Sequence, residues 1–200
     1  MKETPIFEEV FINLIRQPSF LGKVLIGGLL SFVPLVNILA FGYLYRFARR
    51  TRRMGQLSLP EWTDWRGLFF DGLRFTVVWL IYWAAPVFIA FLLGELLEAI
   101  HFGALSYLLF GSVFILASIV FCAALYRLQT RSDFKDLLDL PLILNMSMQG
   151  SSRFAVPAIV FFGLFAWAGP LYGVSLFAGF IFMIAHSVLY YRTLERRVSV

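Results

Sequence analysis

Residues 42–75, reading GYLYRFARRTRRMGQLSLPEWTDWRGLFFDGLRF, form the one long polar interruption in a sequence that is otherwise nearly continuous hydrocarbon. An apolar segment ends there in five arginines, Arg46, Arg49, Arg50, Arg52 and Arg53. A Pro60-Glu61-Trp62 turn follows, and a short amphipathic helix leads back into apolar sequence. Cations crowded at the end of an apolar run are retained on the cytoplasmic side of a bilayer, so this order describes a cytoplasmic loop, here residues 46–74.

The composition admits little else. Hydrophobic residues make up 60% of the chain and charged ones 14%, against roughly 25% charge in soluble domains. Each crossing of a hydrocarbon layer uses about 20 residues, so 200 residues make one membrane domain of about five or six segments. The net charge of +5 does not point to nucleic acid, because the basic residues flank apolar segments and form no stripe with interleaved aromatics. The single cysteine, Cys122, lies in an apolar run and allows neither an internal disulfide nor a cysteine-based metal site. Met1 to Val10 lacks the basic start and apolar core of a cleavable signal peptide.

Thr4 and Pro5 read as a helix start, with Thr4 as the cap and Glu8 and Glu9 near the positive end of the helix dipole. Ile6, Phe7, Val10, Phe11, Leu14 and Ile15 then fall on one face, which predicts an amphipathic interfacial helix over 5–17. Val24 to Tyr45 carries no charge, and Pro34 and Asn37 sit near its centre. Residues 20–47 therefore form either one kinked span or a hairpin folded at Pro34 that only partly crosses. Gly27 and Gly28 offer a site of close helix approach in both cases.

Charge placement favours the hairpin. No Lys or Arg occurs from Phe75 to Tyr126, whereas Glu95, Glu98 and His101 do, so the turn at 94–104 is expected outside and residues 73–93 and 104–126 are full spans. With a hairpin, all 17 Lys and Arg lie on the cytoplasmic side together with both termini. The second half then reads as an interfacial segment over 132–150, capped by Ser132 or Asp133 and broken at Pro141 and Gly150, followed by a hairpin over 154–191 that turns at Gly169-Pro170. A weak repeat relates the two halves: Phe7-Glu8-Glu9 parallels Phe134-Lys135-Asp136, Pro34 parallels Pro170, and Tyr45-Arg46 parallels Tyr191-Arg192. The predicted fold is an all-α polytopic membrane bundle with two or three interfacial amphipathic helices and a possible pseudo-repeat.

Gly42-Tyr43-Leu44 with its arginines, Leu59-Pro60-Glu61-Trp62, Asp64-Trp65, Leu68-Phe69 and Asp71-Gly72-Leu73 resemble the central signature of the family called domain of unknown function 4013. The segment GKVLIGGLLS, with Pro34 and Asn37 behind it, is similar to the same family. The resemblance implies a multi-spanning prokaryotic membrane protein. It transfers no activity and no catalytic residue.

Few residues suggest chemistry. Arg46, Arg49, Arg50, Arg52 and Arg53, with the interface-seeking rings of Trp62 and Trp65, are candidates for contact with anionic lipid headgroups or with a partner subunit, and they also serve simply to fix orientation. Asn37 and His186 are the candidate intramembrane polar groups, with the Ser31 hydroxyl as a further polar side chain in an apolar run. Buried polar side chains mark function in some membrane proteins, yet they also satisfy freed backbone groups and neighbouring helices. No carboxylate lies inside a span, and there is no phosphate-binding loop, metal-ligand cluster or catalytic triad signature. The expectation is a non-catalytic protein of the cytoplasmic membrane without cofactor, acting as an accessory or interaction subunit; the alternative is a small transporter or channel.

Overall fold

In the computed structural model, which describes residues 6–131, 134–167 and 169–198, the chain is helical, with no strand among those residues. The elements are α1 (Phe7–Ile15), α2 (Phe20–Ser31), α3 (Asn37–Met54), α4 (Trp65–Trp79), α5 (Ala85–Ala99), α6 (Gly103–Arg131), α7 (Leu140–Trp167) and α8 (Tyr172–Val198). Among the described residues four helical stretches are long and apolar enough to cross a membrane: Trp65–Ala99, Gly103–Thr130, Leu140–Trp167 and Gly169–Arg196. The expected caps at Thr4 and at Ser132 or Asp133 lie outside the described residues.

The last helix is the axis of the bundle. Of its apolar window 72% is buried, against 28% for α7, and the helices of both halves pack on it. α2 runs antiparallel to α8: Phe20 lies against Phe182, the Gly27 backbone against the Phe177 ring, and Phe32 against Tyr172 with ring centroids 4.8 Å apart. α3 then runs parallel to α8, from the Tyr43–Phe177 contact to the hydrogen bond from Arg192 to the Arg53 carbonyl. Residues 20–47 are thus two oppositely directed helices joined at 32–36. Leu35 takes a left-handed φ of +69° in that turn, next to Pro34.

α4 crosses α3 at a close backbone approach. A Cβ at Gly42 would collide with the Leu68 carbonyl oxygen, and one at Gly72 with the Ile38 carbonyl oxygen. Moving four residues back along α3 moves four forward along α4, so the two helices are antiparallel. Between α4 and α5 the chain widens into a π-type turn, Leu80–Ala84. Pro86 has no N–H for the Tyr82 carbonyl and its ring would clash there, which accounts for the local loosening. An aromatic cluster lies at the centre of the core: Phe75, Trp83, Phe114, Phe121, Phe161 and Phe180 meet edge-on or tilted, with Trp83 and Phe161 stacked, at centroid distances of 4.9 to 6.1 Å.

Three sequence boundaries are corrected. Of the expected interfacial segment over 132–150, Phe134–Leu138 is a separate 3-10 turn, and the part from Leu140 is one helix with the short arm from 154: α7, which continues through Gly150 to Trp167. Pro141 sits in its first turn, where the missing N–H is harmless, and Asp139 caps it by accepting from the Leu142 N–H at 3.2 Å. Secondly, the arginine-rich loop over 46–74 is mostly helix: α3 carries all five arginines, α4 begins at Trp65, and only 55–64 is irregular. Thirdly, the span at 73–93 is part of the longer Trp65–Ala99 stretch. The second helices of the two halves of the weak repeat, α3 and α8, lie side by side, but α2 has 12 residues and α7 has 28, so equivalence does not extend to the first helices.

Candidate functional site

The polar contacts between elements gather where α3 ends, α4 begins and α8 ends. α3 carries its arginines at two helical spacings, and the structure sends them in different directions. Arg46 and Arg49 lie one turn apart and face α4, where both meet the buried Asp71 Oδ2, at 3.3 and 3.4 Å. Arg74, one turn along α4, approaches the other oxygen at 3.7 Å. Arg46 also reaches Asp64 at 3.1 Å, and Asp64 caps α4 by accepting from the Gly67 N–H at 3.1 Å. Asp64 does so from a left-handed φ of +55°. Charge and cap are coupled here: the residue that starts α4 also holds the arginine that pairs with Asp71 further along the helix.

Arg52 turns the opposite way, towards α6 and α8. It donates to the Gln129 carbonyl at 2.7 Å, lies 5.2 Å over the Tyr126 ring and meets Glu195 at 3.5 Å. Gln129 in turn donates to the Tyr45 carbonyl at 3.2 Å. Arg50 and Arg53 remain exposed. The five arginines are therefore not one lipid-facing patch: three are structural ties and two face outward.

The 55–64 segment is clamped to the bundle. Gln17 pins it from both sides, donating to the Leu57 carbonyl at 2.7 Å and accepting from the Leu59 N–H at 3.0 Å. Lys23, buried at 8% exposure, meets Glu61 at 2.6 Å, and the Tyr43 hydroxyl donates to the Pro60 carbonyl at 3.0 Å. Trp62 stacks on Tyr43 at 4.2 Å and 19°, with Trp65 beyond it at 6.0 Å. Trp62 is thus a packing residue, half-buried between Tyr43, Trp65 and Phe177, while Trp65 stays exposed.

The intramembrane candidates are not brought together. Asn37 opens α3, and its N–H donates to the Val33 carbonyl at 3.0 Å across the Pro34 turn. Ser31 donates to the Gly27 carbonyl at 2.7 Å within α2. His186 is buried on α8 between Phe7 and Phe154, ring centroids 5.8 and 5.7 Å away, and neither ring nitrogen has a hydrogen-bond partner among the described residues. None of the three lines any of four hollows of about 310 to 480 Å³ among the described residues. Nor do those residues contain three potential metal-ligating side chains in one cluster.

Sequence reasoning missed the roles of Asp71, Lys23, Gln17 and Tyr43. Spacing along one helix pairs Asp71 only with Arg74. The longer-range ties carry no periodic signature, although a lysine at the head of an apolar helix and a glutamate beside a Pro-Trp turn were visible as charges in search of partners.

Long apolar helices around a buried aromatic core, with charged ties collected at their ends, define a polytopic helical membrane protein. The chain belongs to the DUF4013 family, described as a protein of unknown function, whose model matches residues 26–191. That range runs from within α2 to Tyr191 of α8 and contains the Asp71 cluster, the 55–64 segment and Tyr43, while Gln17 and Lys23, which also hold that segment, precede it. No curated protein and no solved structure matches the chain.

Proposed function

We propose that this protein is a non-catalytic integral membrane subunit that acts by contact, lodged in a cytoplasmic membrane with its arginine-bearing helix ends and C-terminus on the cytoplasmic side. The observation that supports this reading best is the scatter of Asn37, Ser31 and His186, which a solute pathway would gather around one polar cavity. The core between the spans is filled instead by interlocked aromatic rings. Arg50, Arg53 and Trp65 supply exposed contact groups, and α5 presents Phe88, Ile89, Leu92 and Leu96 to its surroundings, a face suited to lipid or to another membrane helix. The alternative, a small carrier or channel, draws on the hairpin and the proline-broken helices.

Purification in a mild native detergent followed by mass spectrometry separates the two. A partner protein recovered in fixed ratio is the expected result. A lone chain or symmetric homo-oligomer that conducts a solute in liposomes would replace this reading with the carrier.

A further inference from the structure

Arg52 and Arg53 at the end of α3 and Arg192 and Arg196 at the end of α8 line a hollow of about 310 Å³, in which Glu195 is the one carboxylate among the described residues. Among the described residues its walls thus carry four cations and one carboxylate. Two of these guanidinium groups are fixed by the fold. Arg52 is held by the Gln129 carbonyl and Glu195. Arg192 donates to the Arg53 carbonyl at 3.3 Å and lies against Gly55, whose φ of +72° and lack of a Cβ leave it room.

Beside this hollow is a second, of about 460 Å³, between α6, α7 and α8. Its walls include Tyr126, Met146, Tyr191 and Leu194, with Arg127 among them, and Glu195 lines both hollows. Arg52 lies over Tyr126, which itself faces the second hollow, and so stands at the partition between them.

A concave wall with excess positive charge attracts an anion, and the planar guanidinium fork matches phosphate oxygens better than it matches a spherical ion. The neighbouring hollow is of the size that buries an organic ligand, and the Tyr126, Met146, Tyr191 and Leu194 part of its wall suits hydrocarbon, beside the polar Arg127, Thr130, Gln149 and Glu195. Together they ask for one molecule with a phosphate at one end and an apolar chain at the other. We propose that an acidic phospholipid binds here, its phosphate on Arg53, Arg192 and Arg196 with Arg52 behind, and its apolar part in the cleft between Tyr126 and Leu194. The inference rests on the membrane placement of the chain and not on its working as a subunit.

The test uses the full chain, delipidated in detergent and reloaded with phosphatidylglycerol, phosphatidylcholine or inorganic phosphate, and reads bound ligand by native mass spectrometry. The expected result is retention of phosphatidylglycerol over phosphatidylcholine, weakened roughly 30-fold in Arg53→Gln/Arg196→Gln, since each juxtamembrane cation contributes about one factor of five. Met146→Trp, which fills the cleft, is expected to lower phospholipid binding and leave phosphate binding intact. Arg16→Gln/Arg66→Gln, which removes two exposed arginines elsewhere, is the control for general charge. Equal retention of the two lipids, an equal loss in the control, or tighter binding of inorganic phosphate than of phosphatidylglycerol would overturn the assignment. Because the readout needs no partner protein, its outcome is independent of the subunit reading.

Discussion

Arg46 of α3 and Asp71 of α4 meet with Nε 3.3 Å from Oδ2, and the same oxygen takes Arg49 at 3.4 Å, so one buried carboxylate neutralises an arginine pair that would otherwise repel. Removing the negative charge leaves Arg46, Arg49 and Arg74 facing each other across the helix crossing. Asp71→Asn is expected to destabilise the fold by about 1–3 kcal/mol, below the value for a fully buried pair because the arginines are partly exposed. A lower thermal midpoint in detergent checks this. Asp64→Asn, whose partner ion pair is exposed and whose capping ability survives as an amide, is expected to shift the midpoint much less.

The α3–α4 crossing depends on two missing side chains. Gly42→Ala and Gly72→Ala each drive a methyl group into a backbone carbonyl, of Leu68 and Ile38 respectively, and a carbonyl cannot rotate away as a side chain can. A cost of about 2–3 kcal/mol each is expected, at the upper end of overpacking penalties. Gly22, inside α2 with nothing within 4 Å of where an added methyl group would stand, is the matched control. Gly22→Ala is expected to raise stability by about 0.5–1 kcal/mol through helix propensity alone.

Gln17 holds the 55–64 segment through two hydrogen bonds of opposite sense, to the Leu57 carbonyl and from the Leu59 N–H. Gln17→Ala releases both backbone groups at once, while Lys23 and Tyr43 still hold the stretch from Leu59 to Glu61. The expected consequence is local: faster proteolytic cleavage near Gln56 to Leu59, with global stability lowered by no more than about 1–2 kcal/mol. Unchanged cleavage would show that the clamp lies elsewhere.

What was legible in the sequence follows from which forces leave a periodic trace. Length and hydropathy of the apolar runs pointed to membrane-spanning helices; of the apolar face expected on α1, Val10 and Leu14 are buried while Ile6 and Ile15 are exposed. Gly27 and Gly28 pack against Phe177 and Val174 of α8, the close approach their pairing suggested. The continuity of α7 was hidden because Pro141 and Gly150 are breakers in isolation. Position decides otherwise: Pro141 falls in the first turn, and Gly150 is held by Phe154 and by Tyr190, whose hydroxyl donates to the neighbouring Gln149 carbonyl at 3.0 Å. The division of the five arginines was hidden for a different reason. Their partners Asp71, Gln129 and Glu195 lie 22 to 143 residues away in the chain, and no local rule pairs charges over such distances.

His186 offers the sharpest separation between a structural and a functional polar residue. It is 2% exposed, sits edge-on between Phe7 and Phe154, and its ring nitrogens find no partner among the described residues. An unpaired polar ring in such a site costs about 1–3 kcal/mol relative to an apolar ring of similar shape. If the residue only fills space between α1, α7 and α8, His186→Phe extends the aromatic stack from Phe11 and Phe182 to Phe154 and is expected to leave the thermal midpoint unchanged or higher. Partner recovery from native detergent is then also unchanged. Proton transfer through this position predicts the reverse pattern, a stable protein that has lost its activity in cells lacking the wild-type copy. Measuring midpoint and cellular complementation on the same variant distinguishes these outcomes, because stability alone reports packing and complementation alone reports either.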